Sequence, residues 1–213
     1  MNGGSISNCD IDAYVYGKYR ALGGVVGCLG ISKATVTKCT LAKTGIVDCA
    51  YTNVGGIIGI SASTDLSVQD CSIEGSVKVV YSYAGGIVGE VYGGKISGCS
   101  AKGASVVMTQ SGSLAVSGIL AYNYSGDVTI DNCIVEDTYL EGGSHIGCVL
   151  GYAGANEATS ENISNCTVKG ACIIKTIHAS NAYIGGIMGR ANTKDTKVAA
   201  SKCEVYNLTV NTI

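Results

Sequence analysis

The sequence predicts an all-β protein, a single-stranded parallel β-helix wound as a right-handed solenoid of about 6–7 rungs of roughly 30 residues each. Three observations carry that expectation. Glycine-rich blocks recur at a near-constant interval, a cysteine recurs at one fixed place in every interval, and the segments between are short and rich in Val, Ile and Thr with no proline anywhere.

The blocks open on two glycines: GGVVG (23–27), GGIIG (55–59) and GGIVG (85–89), then the degenerate SGILA (117–121) and GCVLG (147–151), and finally GGIMG (185–189). Successive starts fall 32, 30, 32, 30 and 38 residues apart, so repeats begin near 23, 55, 85, 117, 147 and 185, after a partial first rung at 1–22. Together they predict one repeat domain over 1–213. Helix-pair repeats have similar lengths, but 31 glycines would cost a helical array roughly 1 kcal/mol each, and the Leu/Ala amphipathic pattern is missing.

An apolar-x-x-Cys unit follows each block, and one more precedes the first: ISNC (6–9), VTKC (36–39), VQDC (68–71), ISGC (96–99), IDNC (130–133), ISNC (163–166) and ASKC (200–203). Cys9, Cys39, Cys71, Cys99, Cys133, Cys166 and Cys203 therefore share one repeat position and are expected to form a core ladder. The apolar residue and the cysteine are three apart, an odd spacing that one strand cannot keep on one face. A bend must intervene, and the residue before the cysteine is Asn, Asp or Gly in five of seven copies, the types that tolerate a left-handed backbone. A second corner is expected four residues after the cysteine, at Gly75, Gly103, Asp137, Gly170 and Asn207, leading into a third strand with Val15, Val77 and Cys172. Each coil would hold about three short strands, with the glycine block as the remaining side, and coils stacked ~4.8 Å apart would lay equivalent residues over one another. The right hand follows from the strong preference of parallel crossovers.

Composition excludes several classes. A net charge of −2 with 14% charged residues offers no electrostatic footprint for nucleic acid, so no nucleic-acid partner is expected. No apolar run reaches the 18 or so residues of a spanning helix, so this segment is not expected to insert in a membrane. The opening MNGGSISNCD lacks the charged and apolar regions of a signal peptide.

The segment GGIVGEVYGGKISGCSAKGASV (85–106) resembles the GLUG motif, a glycine-rich repeat of bacterial cell-surface proteins and of some IgA-cleaving metalloproteases. The likeness extends along the whole chain as six or seven copies, strongest at 55–103. It implies an extracellular or cell-surface location and a structural or adhesive role, within a longer surface protein or one whose end coils meet another copy end to end or along an edge. The resemblance brings no protease chemistry, because the chain has two histidines, His145 and His178, and no H-E-x-x-H.

Candidate sites are then few. A phosphate loop needs a helix after the glycines, and none is predicted. A straight file of thiols cannot wrap a tetrahedral metal, so neither metal nor cofactor is expected. Cys28, Cys49, Cys148 and Cys172 lie off the ladder and are the better disulfide candidates. Asp70, Asp131, Glu136 and Asp137 are the one place for the converging carboxyls of a polysaccharide lyase or glycoside hydrolase, the alternative to a non-enzymatic role; solvated corners explain them more simply. The tyrosines stand out. Tyr19, Tyr51 and Tyr81 precede three successive blocks by four residues, and Tyr83, His145 and Tyr183 precede blocks by two. Alternation from the apolar residue just before each block points these outward as an exposed stripe, explained first by stacking that stabilises the rod and otherwise suited to a glycan or a host or cell-surface protein. Tyr92, Tyr122, Tyr124 and Tyr152 follow the blocks and are expected along an adjacent edge.

Overall fold

The computed structural model describes residues 3–110, 114–154, 159–177, 182–192 and 196–212, with His178 outside that set. Every regular element among them is a short strand, and all strand pairs are parallel. The chain coils as a β-solenoid of about six turns. One turn shows the plan: Leu66–Gln69, Ser72–Ile73, Ser76–Val79, Ala84–Gly85 and Val88–Val91 each pair with the equivalent strand of the turns before and after. Five sheets result, three of seven strands and two of six. The expected three strands per coil is thus corrected to five. The glycine block is two strands in its own right, because Gly85 and Val88 each belong to a ladder, with a tight turn between.

Register follows the repeat without slippage. Ile6, Val36, Val68, Ile96, Ile130, Ile163 and Ala200 stand in one column, and Val15, Val47, Val77, Val106, Leu140, Ile174 and Val210 in another. In the middle turns both columns are fully buried, each Ile or Val contributing about 2 kcal/mol by leaving water.

All seven residues before the ladder cysteines adopt positive φ, from 52° to 64°, including Lys38 and Lys202. The corner therefore imposes the left-handed backbone even where the residue type disfavours it. After this corner the thiol is turned inward. Each ladder Sγ–H donates to the carbonyl two residues back, at 3.2–3.5 Å, and several also reach the turn before. Cys39 to Cys166 are buried, and the two end members are half-buried. The thiol column is the predicted core ladder, with one addition that spacing could not show: cysteine fills the corner and adds a second, weak hydrogen bond to a carbonyl that, from Thr37 onward, already accepts a backbone N–H from the turn before.

Two expectations need correction. Gly75 does not have the left-handed backbone of Gly103, Asp137, Gly170 and Asn207. Its glycine answers to crowding, since a Cβ there would stand 2.3 Å from Gly45 O. Cys172 lies just before its strand, Ile173–Thr176, so Ile174 takes the inward place. No disulfide joins any of the eleven cysteines; Cys49, Cys148 and Cys172 are buried in separate columns and Cys28 faces solvent. The acidic residues are spent on corners: Asp131 Oδ1 accepts from Ser164 Oγ and Asn165 Nδ2, Asp137 Oδ1 accepts from the Ala171 N–H, and Glu136 lies between Lys102 and Lys169.

Candidate functional site

The block glycines set the geometry of the site. A Cβ on Gly86 would stand 2.0 Å from Gly118 O and 2.7 Å from Ile73 Cδ1, so the backbone there passes where no side chain fits. This tight turn between the fourth and fifth sheets sets two outward columns beside each other. One is the second residue before each block: Ala21, Asn53, Tyr83, Ala115, His145, Tyr183. The other is the residue directly after each block: Cys28, Ile60, Glu90, Tyr122, Tyr152, Arg190.

The two columns interleave. Tyr83 stacks on Tyr122 at 4.1 Å, Tyr122 on Tyr152 at 5.5 Å, Tyr152 on His145 at 4.7 Å and His145 on Tyr183 at 5.5 Å, with interplanar angles of 5–20°. The Arg190 guanidinium closes the series 4.6 Å over Tyr183, and its Nη1 lies 3.0 Å from His145 Nε2. Arginine only donates, so the Nε2 lone pair accepts and the proton sits on Nδ1, beside Ser144 Oγ. The expected exposed stripe is corrected here. His145 is 2% exposed and Tyr83 half-buried, because rings from the second column cover them; Tyr183 remains exposed. Alternation along one strand gives the direction of a side chain and says nothing of a neighbouring column that leans over it.

Toward the early turns this ribbon opens into a groove of about 690 Å³ lined by Arg20, Tyr51, Asn53, Tyr83, Glu90, Tyr92, Tyr122 and Tyr124, with Thr52 and Ser82. Its walls are aromatic: Tyr92 stacks on Tyr124 at 4.6 Å, and Tyr122 meets Tyr124 edge-on at 6.0 Å. Its floor is polar. Asn53, held at φ 59°, donates from Nδ2 to Glu90 Oε2, and both are buried. Burial pushes the Glu90 carboxyl up, against the pull of Arg20, Asn53 and Tyr92. Burial, then Glu90, pushes the Tyr83 hydroxyl up to about 12. A protonated hydroxyl on an aromatic wall beside a buried carboxyl gives donors and acceptors on an otherwise flat apolar surface.

A second depression of about 420 Å³ adjoins it, between Tyr51, Thr52, Tyr81 and Ser82. Tyr51 and Tyr81 are 52% and 43% exposed and meet edge-on at 5.8 Å. Tyr19, 79% exposed, heads the same column but lines neither depression. Of the six residues singled out by spacing, Tyr51, Tyr81 and Tyr83 thus come together, His145 and Tyr183 belong to the closed end of the ribbon, and Tyr19 stands apart. Asn53, Glu90 and Arg20 escaped the sequence reading. Asn53 was visible as a polar member of the Tyr83 column, and Glu90 as the one carboxylate directly after a block.

The segment holding Tyr83, Glu90, Tyr92 and Cys99 gives a family match: residues 80–107 match the family model of the GLUG motif. The chain carries a GLUG motif. No curated protein and no solved structure matches it. In structural terms the matched GLUG segment runs from the end of the strand Ser76–Val79, across the glycine turn and the thiol corner, to Val107 in the next turn. The motif is therefore one circuit of the solenoid, and the groove is built where circuits carrying Tyr and Glu at its variable places lie side by side.

Proposed function

We propose that this GLUG solenoid is a non-enzymatic, adhesive segment of a bacterial cell-surface protein, and that it binds glycan in the tyrosine groove. The observation that carries the proposal is the groove itself, with five tyrosines around a buried Asn53–Glu90 pair and Arg20 on its lining. Sugar rings present apolar C–H faces and equatorial hydroxyls; the aromatic walls suit the former, and the amide, carboxyl and guanidinium the latter. Binding rather than turnover is favoured by the donor set. A glycosidase needs two carboxyls about 5–10 Å apart, and among the described residues lining the groove Glu90 is the one carboxylate.

The experiment is a glycan array read with wild-type protein, a Tyr51→Ser/Tyr92→Ser double variant and a Tyr19→Ser control. Expected is a discrete set of wild-type signals, lost by at least about ten-fold in the double variant and kept in the control. Signals that survive in the double variant, or no signal from folded wild type, would end the proposal. Release of reducing ends from uronic-acid polymers by the wild type would favour the enzymatic alternative instead.

A further inference from the structure

A second polar site lies inside the solenoid, on the inner side of the strand whose Tyr122 lines the groove. Among the described residues five buried side-chain oxygens lie beyond hydrogen-bond distance of any partner, and four of them belong to one cluster: Asn123 Oδ1, Thr159 Oγ1, Glu161 Oε2 and Thr196 Oγ1, the Thr159 hydroxyl being near enough to the Glu161 carboxyl to oppose its burial without closing a bond. Such groups cost free energy when buried, so four together ask for a common partner.

The cluster is built by the repeat. Glu161 occupies the column of Ala34, Leu66 and Val128, where every buried neighbour is apolar, and it is 1% exposed. Asn123 takes an inward place of the fifth sheet beside Val91 and Ala153. Its Nδ2 donates to both Glu161 Oε1, at 2.8 Å, and Gly126 O, at 2.9 Å. The amide orientation is thereby fixed, since a flipped amide would set its oxygen against two acceptors. Thr159 and Thr196 stand in one column on successive turns, next to the paired Ser160 and Lys197. Both hydroxyls face one point beside Gly154: a Cβ on that glycine would stand 2.1 Å from Thr196 Oγ1 and 3.0 Å from Thr159 Oγ1. Gly154, at φ +74°, bonds through its N–H to Asn123 O, which brings the amide to the same corner.

The chemistry of the donors is uniform. All four are oxygens, one is a carboxylate oxygen in the interior, and among the described residues no ion pair reaches Glu161. Asp127 adds a second negative charge nearby, its Oδ1 accepting from the N–H of Ser160, the residue between Thr159 and Glu161. Oxygen-only donors around an interior carboxyl group are the set preferred by hard cations.

We propose that Glu161, Asn123, Thr159 and Thr196 form a binding site for a hard, oxygen-seeking metal cation. One carboxylate with three neutral oxygens balances sodium; participation of Asp127 favours calcium, and the two are separated by titration.

The test uses the whole chain, stripped with chelator and exchanged into a buffer with an organic cation as the only counter-ion. It is then titrated with calcium, sodium or potassium at constant ionic strength, reading melting temperature and, for calcium, calorimetric heat. Expected is a saturable rise in melting temperature with one of these ions, lost in Glu161→Gln and weakened by at least ten-fold in Thr159→Val, which keeps the shape and the charge. Should Glu161→Gln not fold, Thr159→Val alone decides. Absence of saturable binding by wild type, or equal binding by both variants, overturns the proposal. So does a crystal structure showing a water with tetrahedral contacts near 2.8 Å at this point.

Discussion

Two corners of each coil obey opposite rules. At the thiol corner the same residue occurs seven times, from Cys9 to Cys203, and its left-handed neighbour keeps φ near 50–65° whether it is Asn, Asp, Gly or Lys. At the glycine turn the flanking columns never settle on one residue: Ala, Asn, Tyr and His in one, Cys, Ile, Glu, Tyr and Arg in the other. A ladder position facing the core is repeated because each turn offers it the same space. A position facing outward is free to differ from turn to turn, and only there can a stack of near-identical coils build something local. The groove exists because Tyr83, Glu90, Tyr92, Tyr122 and Tyr124 depart from their neighbours above and below.

The comparison is broken most directly by replacing one residue at each corner. Cys99 has no exposed surface, with its Sγ bonded to Ser97 O and Val68 O. Cys99→Leu overfills that corner and is expected to cost about 3 kcal/mol, read as a lowered urea midpoint with an unchanged slope. Tyr183→Ser, at the exposed end of the ribbon, should cost under about 1 kcal/mol. Equal losses would mean that the aromatic ribbon supports the fold as much as the thiol ladder does.

A pH experiment sharpens the contrast from the other side. Glu90 is held above the ordinary carboxyl range by burial, with Arg20, Asn53 and Tyr92 opposing and the Tyr83 and Tyr122 rings beside it on the groove wall. The folded state therefore binds this proton more tightly than the unfolded chain does. Stability is greatest below the unfolded value and declines as pH rises from there through the folded one, by about 1.4 kcal/mol for each unit of separation. Glu161, pushed up to about 7 by burial, acts in the same direction, so the diagnostic is the difference between proteins. Glu90→Gln should show a shallower decline in melting temperature between pH 4 and 8 than wild type. Parallel profiles would show that Glu90 is not buried with its charge at stake.

The solenoid was legible in the sequence because its evidence is repeated. Seven copies of apolar-x-x-Cys average away local noise, and the residue before each cysteine names the corner by its chemistry. The groove was half legible for the converse reason. Tyr51, Tyr81 and Tyr83 are found by counting back from the blocks, but Glu90 and Tyr122 become their neighbours only when a turn too tight for a Cβ at Gly86 sets two columns together. Nothing in the spacing says how sharply the chain reverses there, and nothing says that His145 lies beneath Tyr152. The number of strands was missed likewise: GGIVG reads as one packed side, and its two strands of two and four residues emerge only from pairing with the coils above and below.

The smallest expected effect tests the same contrast within one residue type. Cys28 stands in the column of Glu90 and Tyr122 and is exposed, whereas Cys39, Cys71, Cys99, Cys133 and Cys166 are enclosed at the other corner. Alkylation needs access, and burial denies it to the inner five, including Cys71 and Cys133, whose thiols are pulled down by hydrogen bonds from the neighbouring ladder thiols. Brief treatment of native protein with iodoacetamide should therefore modify Cys28 first, Cys9 and Cys203 more slowly, and the inner five only after denaturant is added, as read by peptide mass spectrometry. Cys28→Ser should remove the fast site and change stability by less than about 0.5 kcal/mol, since an outward column tolerates what the ladder does not. Fast labelling of Cys71 or Cys99 in native protein would mean that the corner opens on its own, and a ladder that opens cannot be the rigid side against which the groove is built.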